Sequence, residues 1–362
     1  MKKIRVGIIG QGRSGRGIHR HLFTTVPELQ ERFEVVAIAD RIRERWEPAD
    51  AVPDNGVRKT ENYKDLLNDP DIDLIVNATM SKDHVDVSIE ALEAGKDVIC
   101  EKPLCRTVAD VERIEEAIAR TGRFFAVFQQ SRFRPLFRKS LEIMQSGILG
   151  RIVMIKVAYN TFGRRWDWQT IQDMCAGELL NTGPHPMDQV VQFYGGDYPQ
   201  NIVCVMERTN TSGDAEDHIK ILMHGKDQPT VDVEISRCCM FPGNTYEIYG
   251  TNGGLKASGN TVTWKYFLPE DEPERPLVKD PLEGAGRMPV YCGEKIRYYE
   301  NTWNSPPEVG GMDYWGRCYY LQVYDALTAG KPMDVTLDQV KRQIRMIEEC
   351  HRQNPLPKFV EL

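Results

Sequence analysis

Three groups of residues have the types and spacing to do chemistry. The first is Gly10-Gln11-Gly12-Arg13-Ser14-Gly15, which follows a short apolar run and opens a helical pattern. In that context the first glycine permits a tight turn. The second lets backbone approach a pyrophosphate, and the third lets helix and strand pack closely. The free N–H groups at this helix start, Gln11 to Gly15, then face the phosphates. Asp40 closes the next apolar run, 25 residues after Gly15. A carboxylate there accepts bonds from the adenine-ribose hydroxyls and repels a 2′-phosphate, which predicts NAD rather than NADP. Arg41 stands next to it and could stack on adenine or, with Asp40 turned away, meet a 2′-phosphate. Asn77-Ala78-Thr79 ends a further run, with small residues where a dinucleotide would cross. His84 opens the following helix and could contact the cofactor or make a local hydrogen bond.

The second group is Cys100-Glu101-Lys102-Pro103. A lysine at the carboxyl end of a central parallel strand points into the ligand crevice. Pro103 turns the chain off the strand and restricts Lys102. An oxidised nicotinamide is cationic, so it would lower the lysine's proton affinity and ready it for proton exchange. Glu101 can pair with Lys102 or orient it. The third group is Glu178-Leu179-Leu180-Asn181-Thr182-Gly183-Pro184-His185, followed by Pro186-Met187-Asp188. Its prolines fit only the first turn of a helix, so His185 sits at the positive end of the helix dipole. That favours a neutral imidazole able to accept a proton. Asp188, one turn on, could orient the ring or cap the helix. Arg164-Arg165-Trp166-Asp167-Trp168 offers two guanidinium forks for hydroxyls and indole faces for sugar rings, or a loop anchored by two buried tryptophans.

These groups need elements to hold them. Lys3–Ile9, Glu34–Ala39, Asp73–Ala78, Lys96–Cys100 and Phe124–Phe128 read as strands. Between them, Gly15–Phe23, Tyr63–Leu67, His84–Ala94 and Val108–Thr121 read as helices. Unbroken β-branched runs alternating with helices mean a doubly wound parallel sheet covered on both faces. Pro135–Ser146 reads as one more helix. After Gly150 the texture changes to Arg151–Asn160, Ile202–Arg208, Ile219–His224, Thr230–Ser236, Thr245–Tyr249 and Thr261–Phe267, all strand-like. Turn residues such as Asn252-Gly253-Gly254 join them, and the helix Pro184–Tyr194 interrupts them. This predicts an α+β domain with a large, open, mainly antiparallel sheet. Pro269–Gly311 reads as a long ordered loop, and Tyr314–Ala329 and Leu337–Gln353 as helices. The expected division is residues 1–130 and 131–362, with the last helices able to pack back on the first domain.

Composition excludes several classes. The chain has 362 residues, enough for two or three domains, and a net charge of −7. That charge disfavours a nucleic-acid partner. No apolar run reaches the length of a membrane span, and Met1–Gly7 carries no signal-peptide pattern. Nine unclustered cysteines without a C-x-x-C argue against a disulfide framework or a zinc site and for a reducing cytoplasm. No metal is expected.

With these residues in view, the chain resembles the glucose–fructose oxidoreductase / inositol dehydrogenase (Gfo/Idh/MocA) family. The resemblance rests on the glycine fingerprint, Asp40, Glu101-Lys102-Pro103, Arg132-Phe133-Arg134-Pro135 and Gly183-Pro184-His185-Pro186-Met187-Asp188. It implies an N-terminal Rossmann domain, a C-terminal open-sheet domain and a catalytic, substrate-binding Lys102. It puts Gln130 where the family often has an asparagine near the nicotinamide, and the Arg164–Trp168 stretch close to the substrate. Where the family usually has an aspartate four residues before the histidine, this chain has Asn181, an amide that can orient a hydroxyl but not relay a proton. Lys102 and His185 then share the acid–base work. The expected activity is NAD-dependent hydride transfer from a secondary alcohol of a sugar, polyol or glycoside, including C3 of a glucoside. A glycoside-cleaving enzyme with tightly held NAD and a non-catalytic NAD-binding regulator stand as alternatives. A homodimer or homotetramer through the second sheet is expected, because one face of that sheet would otherwise stay uncovered.

Overall fold

A computed structural model describes residues 3–47 and 56–361. The first sheet is six-stranded and parallel: β1 (Ile4–Ile9), β2 (Phe33–Ala39), β3 (Arg58–Thr60), β4 (Leu74–Asn77), β5 (Asp97–Cys100) and β6 (Phe125–Val127). Their order is β3-β2-β1-β4-β5-β6. The chain reverses direction across the sheet between β1 and β4, the switch point where ligands bind in such folds. Strand β3 escaped the sequence pattern because Arg58-Lys59-Thr60 is polar. It is an edge strand, bonded only to β2.

The second sheet has eight strands: β7 (Ile152–Asn160), β8 (Asn201–Glu207), β9 (His218–His224), β10 (Thr230–Ser236), β11 (Tyr246–Gly250), β12 (Gly253–Ser258), β13 (Thr261–Tyr266) and β14 (Tyr299–Asn304). All neighbours are antiparallel except β7 and β10. Two strands correct the sequence reading. Gly253 and Gly254 belong to β12 rather than to a turn. Gly253 is fixed by space, since a Cβ there would lie 2.3 Å from the Lys265 carbonyl oxygen. Strand β14 lies inside the stretch read as loop. Its residues are polar and mostly exposed, so they give no apolar alternation.

One face of this sheet packs on the helices Pro135–Gln145, Pro184–Phe193 and Leu337–Gln353 in a single apolar core. Along β8 the alternation is plain: Cys204 and Met206 point in, while Val203 and Val205 point out and are about half exposed. The helix Met312–Ala329 packs back on the first sheet. Tyr319 and Tyr320 are buried there among Phe23, Phe33 and Phe128. Gly316 allows the approach, because a Cβ would lie 2.3 Å from Leu22. The helix Leu337–Gln353 spans both cores, with Val340 and Ile344 on the first and Met346 and Ile347 on the second. No helix among the described residues is long and apolar enough to cross a membrane.

Candidate active site

The carboxyl ends of β1, β4, β5 and β6 converge on one crevice. At β1 the chain turns through Gly10 with φ +86°. A Cβ on Gly10 would lie 2.3 Å from the Ala78 oxygen, and one on Gly15 would lie 1.8 Å from the Gly10 oxygen. Gly12 faces open space within 4 Å. Two glycines therefore close the turn on Ala78, and the third leaves a bare backbone surface, as a pyrophosphate requires. Arg13 is exposed beside it. Residues Gly15–Arg20 then wind wider than an α-helix before His21–Thr25 tightens, a distortion common at functional sites.

Asp40 stands at the end of β2. Its Oδ2 accepts the Gln11 N–H at 2.7 Å and its Oδ1 the Ile42 N–H at 2.8 Å. The carboxylate is thus pinned between the glycine turn and its own strand, with lone pairs remaining for ribose hydroxyls. Arg45 comes within 3.8 Å of it, while Arg43 pairs with Glu61 and lies over Trp46. Arg41 is exposed. Asn77 organises the end of β4. Its amide donates to the His84 oxygen and Ser88, and its Oδ1 accepts from the Thr79 hydroxyl at 2.7 Å. His84 is buried behind the crevice. Its Nδ1 lies 2.7 Å from the Pro103 oxygen and its Nε2 3.3 Å from the Thr79 oxygen. It clamps the turn that follows Lys102, and burial lowers its proton affinity below the usual histidine range.

Lys102 projects from the end of β5, with a cis peptide to Pro103. Its Nζ donates to the Asn181 backbone oxygen at 3.0 Å, and its backbone N–H donates to Glu101 Oε2 at 2.9 Å. Burial pulls the Lys102 ammonium below the ordinary lysine range. Glu101 opposes this, while the charges of Arg13 and Arg134 add to it. Glu101 is held in turn by His19, whose Nε2 lies 3.1 Å from Oε1. His19 Nδ1 lies 2.6 Å from the Tyr320 hydroxyl. A carboxylate only accepts, so Nε2 carries a proton toward Glu101. Burial works to raise the Glu101 carboxyl. The His19 bond and the charges of His19 and Lys102 outweigh it and keep Glu101 ionised.

His185 opens the helix Pro184–Phe193. Its Nδ1 is buried without a hydrogen-bond partner. Burial and the charges of Lys102 and Arg134 hold its proton affinity well below the histidine norm. The ring is therefore a neutral acceptor beside a lysine, as acid–base work requires. The Asn181 side chain turns away from Lys102, its Oδ1 accepting from Gln169 and its amide reaching Glu178. Asp188 gives both oxygens to Arg132 rather than to the imidazole. Gln129 and Gln343 both donate to the Pro184 oxygen, fixing the start of the His185 helix. Gln130 is buried at the end of β6 with an unpartnered Oε1.

On the second-domain side, a cleft of about 240 Å³ is lined by Arg134, Tyr159, Asn160, Glu178, Thr182 and Arg237, among others. Glu178, which the sequence placed in the site without a role, is its node. It accepts from Thr182 at 2.5 Å, pairs with Arg237 at 2.8 Å and lies 3.8 Å from Arg165. Arg165 also pairs with Asp167 and Gln169. Arg164 is exposed, and Trp166 is 81% exposed, so that loop is not anchored by two buried tryptophans. The cysteines near the site are packing residues. Cys100 is buried and its thiol is pushed up by burial, and burial raises the Cys175 thiol to about 12. Among the described residues no cluster of His, Cys, Asp and Glu is arranged to hold a metal.

Residues 4–129 match the model of an oxidoreductase family with an NAD-binding Rossmann fold, and residues 137–256 match the GFO/IDH/MocA C-terminal domain. The chain belongs to the Gfo/Idh/MocA oxidoreductase family. Its first domain is thus an NAD(P)-binding Rossmann domain. Among similar proteins of this family is scyllo-inositol 2-dehydrogenase (NADP(+)) IolW of Bacillus subtilis, 23% identical, with 95% of this chain and 92% of that protein covered. Inositol 2-dehydrogenase of Salmonella typhimurium is 26% identical, with 72% and 74% covered. An oxidoreductase structure from Bacillus cereus superimposes with a TM-score of 0.76 at 19% identity, covering 97% of each chain, which establishes the shared fold.

Proposed function

We propose that this oxidoreductase is an NAD-dependent dehydrogenase acting on a secondary alcohol of a sugar, polyol or glycoside, with C3 of a glucoside as one candidate carbon. One observation carries the reading. Lys102, with lowered proton affinity, donates to the Asn181 oxygen beside a neutral His185, at the carboxyl end of a strand next to the glycine turn. Gly10, Gln11, Gly12, Arg13, Ser14 and Gly15 would hold the pyrophosphate, Asp40 and Arg41 the adenosine half. Ala78, Thr79, Glu101 and Gln130 would border the nicotinamide half, with His84 behind them. When bound, the dinucleotide supplies the hydride-accepting ring. Lys102 and His185 hold the substrate hydroxyl between them and take its proton. Glu101, kept ionised by His19, holds the Lys102 backbone in place. Arg164, Arg165, Trp166 and Asn181 form the substrate side, with Trp166 offering an open indole face to a sugar ring. NAD is favoured because a carboxylate at the end of β2, Asp40, would repel a 2′-phosphate.

The division falls near residue 130 in this reading. A homodimer or homotetramer would form through the outer face of the second sheet, where Val153, Val203, Val205, Leu222 and Tyr249 are exposed. Nine free thiols suit a reducing cytoplasm. The deciding experiment measures NAD and NADP reduction over sugars, inositols and glycosides, beside mass spectrometry of any cofactor retained on purification. Substrate-dependent NADH formation is expected. Turnover of a glycoside without added NAD and without NADH release would replace net oxidation by glycoside cleavage. Light scattering that gave a 41.4 kDa monomer would remove the oligomer.

A further inference from the structure

Arg132 and Arg134 sit two residues apart, and their guanidinium groups have opposite fates. Arg132 spends its fork on Asp188. Arg134 has no carboxylate or carbonyl partner among the described residues. Its Nε is buried without a hydrogen-bond acceptor. Two aromatic rings hold the group in place, Trp315 at 4.9 Å and Tyr159 at 5.8 Å from its central carbon. It lines the 240 Å³ cleft, and its charge reaches both Lys102 and His185. The one acid lining that cleft, Glu178, is already engaged by Arg237 and Thr182. A half-buried guanidinium without a counter-charge is costly, and its planar fork matches a carboxylate or a phosphate.

We infer that the substrate carries an anionic substituent, a carboxylate or a phosphate, and that Arg134 is its receptor. This deepens the dehydrogenase reading and rests on it for the reacting alcohol. The aromatic walls orient the fork. The sign of the cleft thus opposes that of the whole chain, which is −7.

The test compares NAD(P) reduction with glucose, glucuronate and glucose 6-phosphate, for the wild type, Arg134→Gln and Arg134→Lys. The wild type should turn over at least one of the two anions with higher kcat/KM than glucose. The anion that gains identifies the substituent. Arg134→Gln should cut that anionic preference by about 10- to 100-fold, mainly through KM, and Arg134→Lys should recover part of it. A wild type that prefers glucose to both anions overturns the inference without any variant, as does an equal loss on all three compounds. If none of the three is oxidised, the wider screen of sugars, inositols and glycosides decides the dehydrogenase reading. Calorimetric titration of the NAD-loaded protein with glucuronate and glucose 6-phosphate then decides the anion site: binding that Arg134→Gln abolishes upholds it, and absence of binding removes it.

Discussion

Arg132 and Asp188 form a two-pronged ion pair in the protein interior, Nε to Oδ2 at 2.7 Å and Nη2 to Oδ1 at 2.5 Å. Arg132 lies just past β6, and Asp188 is on the helix that His185 opens. Arg132 also donates to the Asp334 oxygen at 2.9 Å, before the last helix. One guanidinium therefore ties the cofactor sheet, the histidine helix and the C-terminal segment together. Asp188→Asn should lower stability by about 3–5 kcal/mol, the usual result of leaving one buried charge unpaired. Arg132→Lys should destabilise as well, because an ammonium cannot make the fork. Urea unfolding of each variant checks this, and an unchanged midpoint for Asp188→Asn would refute the pairing as a structural tie.

Lys102→Met should leave cofactor binding in place and lower kcat by about 10²–10⁴, the usual contribution of a positioned proton-transfer group. The Asn181 oxygen loses its donor at 3.0 Å, but Glu101 keeps its bond to the backbone of residue 102, so the turn should survive. Fluorescence titration with NADH alongside steady-state rates separates the two effects. Loss of NADH affinity equal to the loss of rate would make Lys102 a binding residue only.

Stability should fall in mild acid for a definite reason. His84 and His185 both have proton affinities lowered by burial. Unfolded, each titrates near the ordinary value of about 6.5. Below that pH the unfolded chain binds protons that the folded chain refuses, so stability is fully present above about pH 6.5 and is lost as pH falls toward the folded values. Each group contributes at most about 1.4 kcal/mol per pH unit. Melting curves between pH 7 and 5 measure the slope, and His185→Gln should flatten it. A variant as acid-sensitive as the parent would show that other groups set the slope.

The sequence was legible where chemistry is local. Gly10 to Gly15, Asp40 and Lys102 could each be placed just past a strand end because strand and helix signals come within a few residues of each other. The surroundings of Asn181 were not legible. Its backbone oxygen accepts from Lys102, and its side chain reaches Gln169 and Glu178. Backbone groups carry no sequence signature, so no pattern could have shown this. His19 and Tyr320 are 301 residues apart, and only the packing of the helix Met312–Ala329 on the first sheet brings them together. Strands β3 and β14 stayed hidden because their polar or exposed residues lack the apolar alternation that makes a strand readable.

The three glycines of the fingerprint differ in what they protect, which separates folding from cofactor binding. Gly10 and Gly15 are packed against backbone, and Gly10 also needs φ +86°. Alanine at either must push the Ala78 or Gly10 carbonyl aside, so both variants should lose stability. Gly12 has nothing within 4 Å of its would-be Cβ and does not need a positive φ. Gly12→Ala should therefore melt with the wild type or slightly above it, since alanine loses less backbone entropy on folding. The added methyl occupies the surface that a pyrophosphate must approach, so the Kd for NAD should rise by at least about tenfold. Calorimetric titration of NAD into Gly12→Ala, with its melting curve in parallel, makes the separation visible. Unchanged affinity in that variant would mean that the pyrophosphate does not lie on the glycine turn.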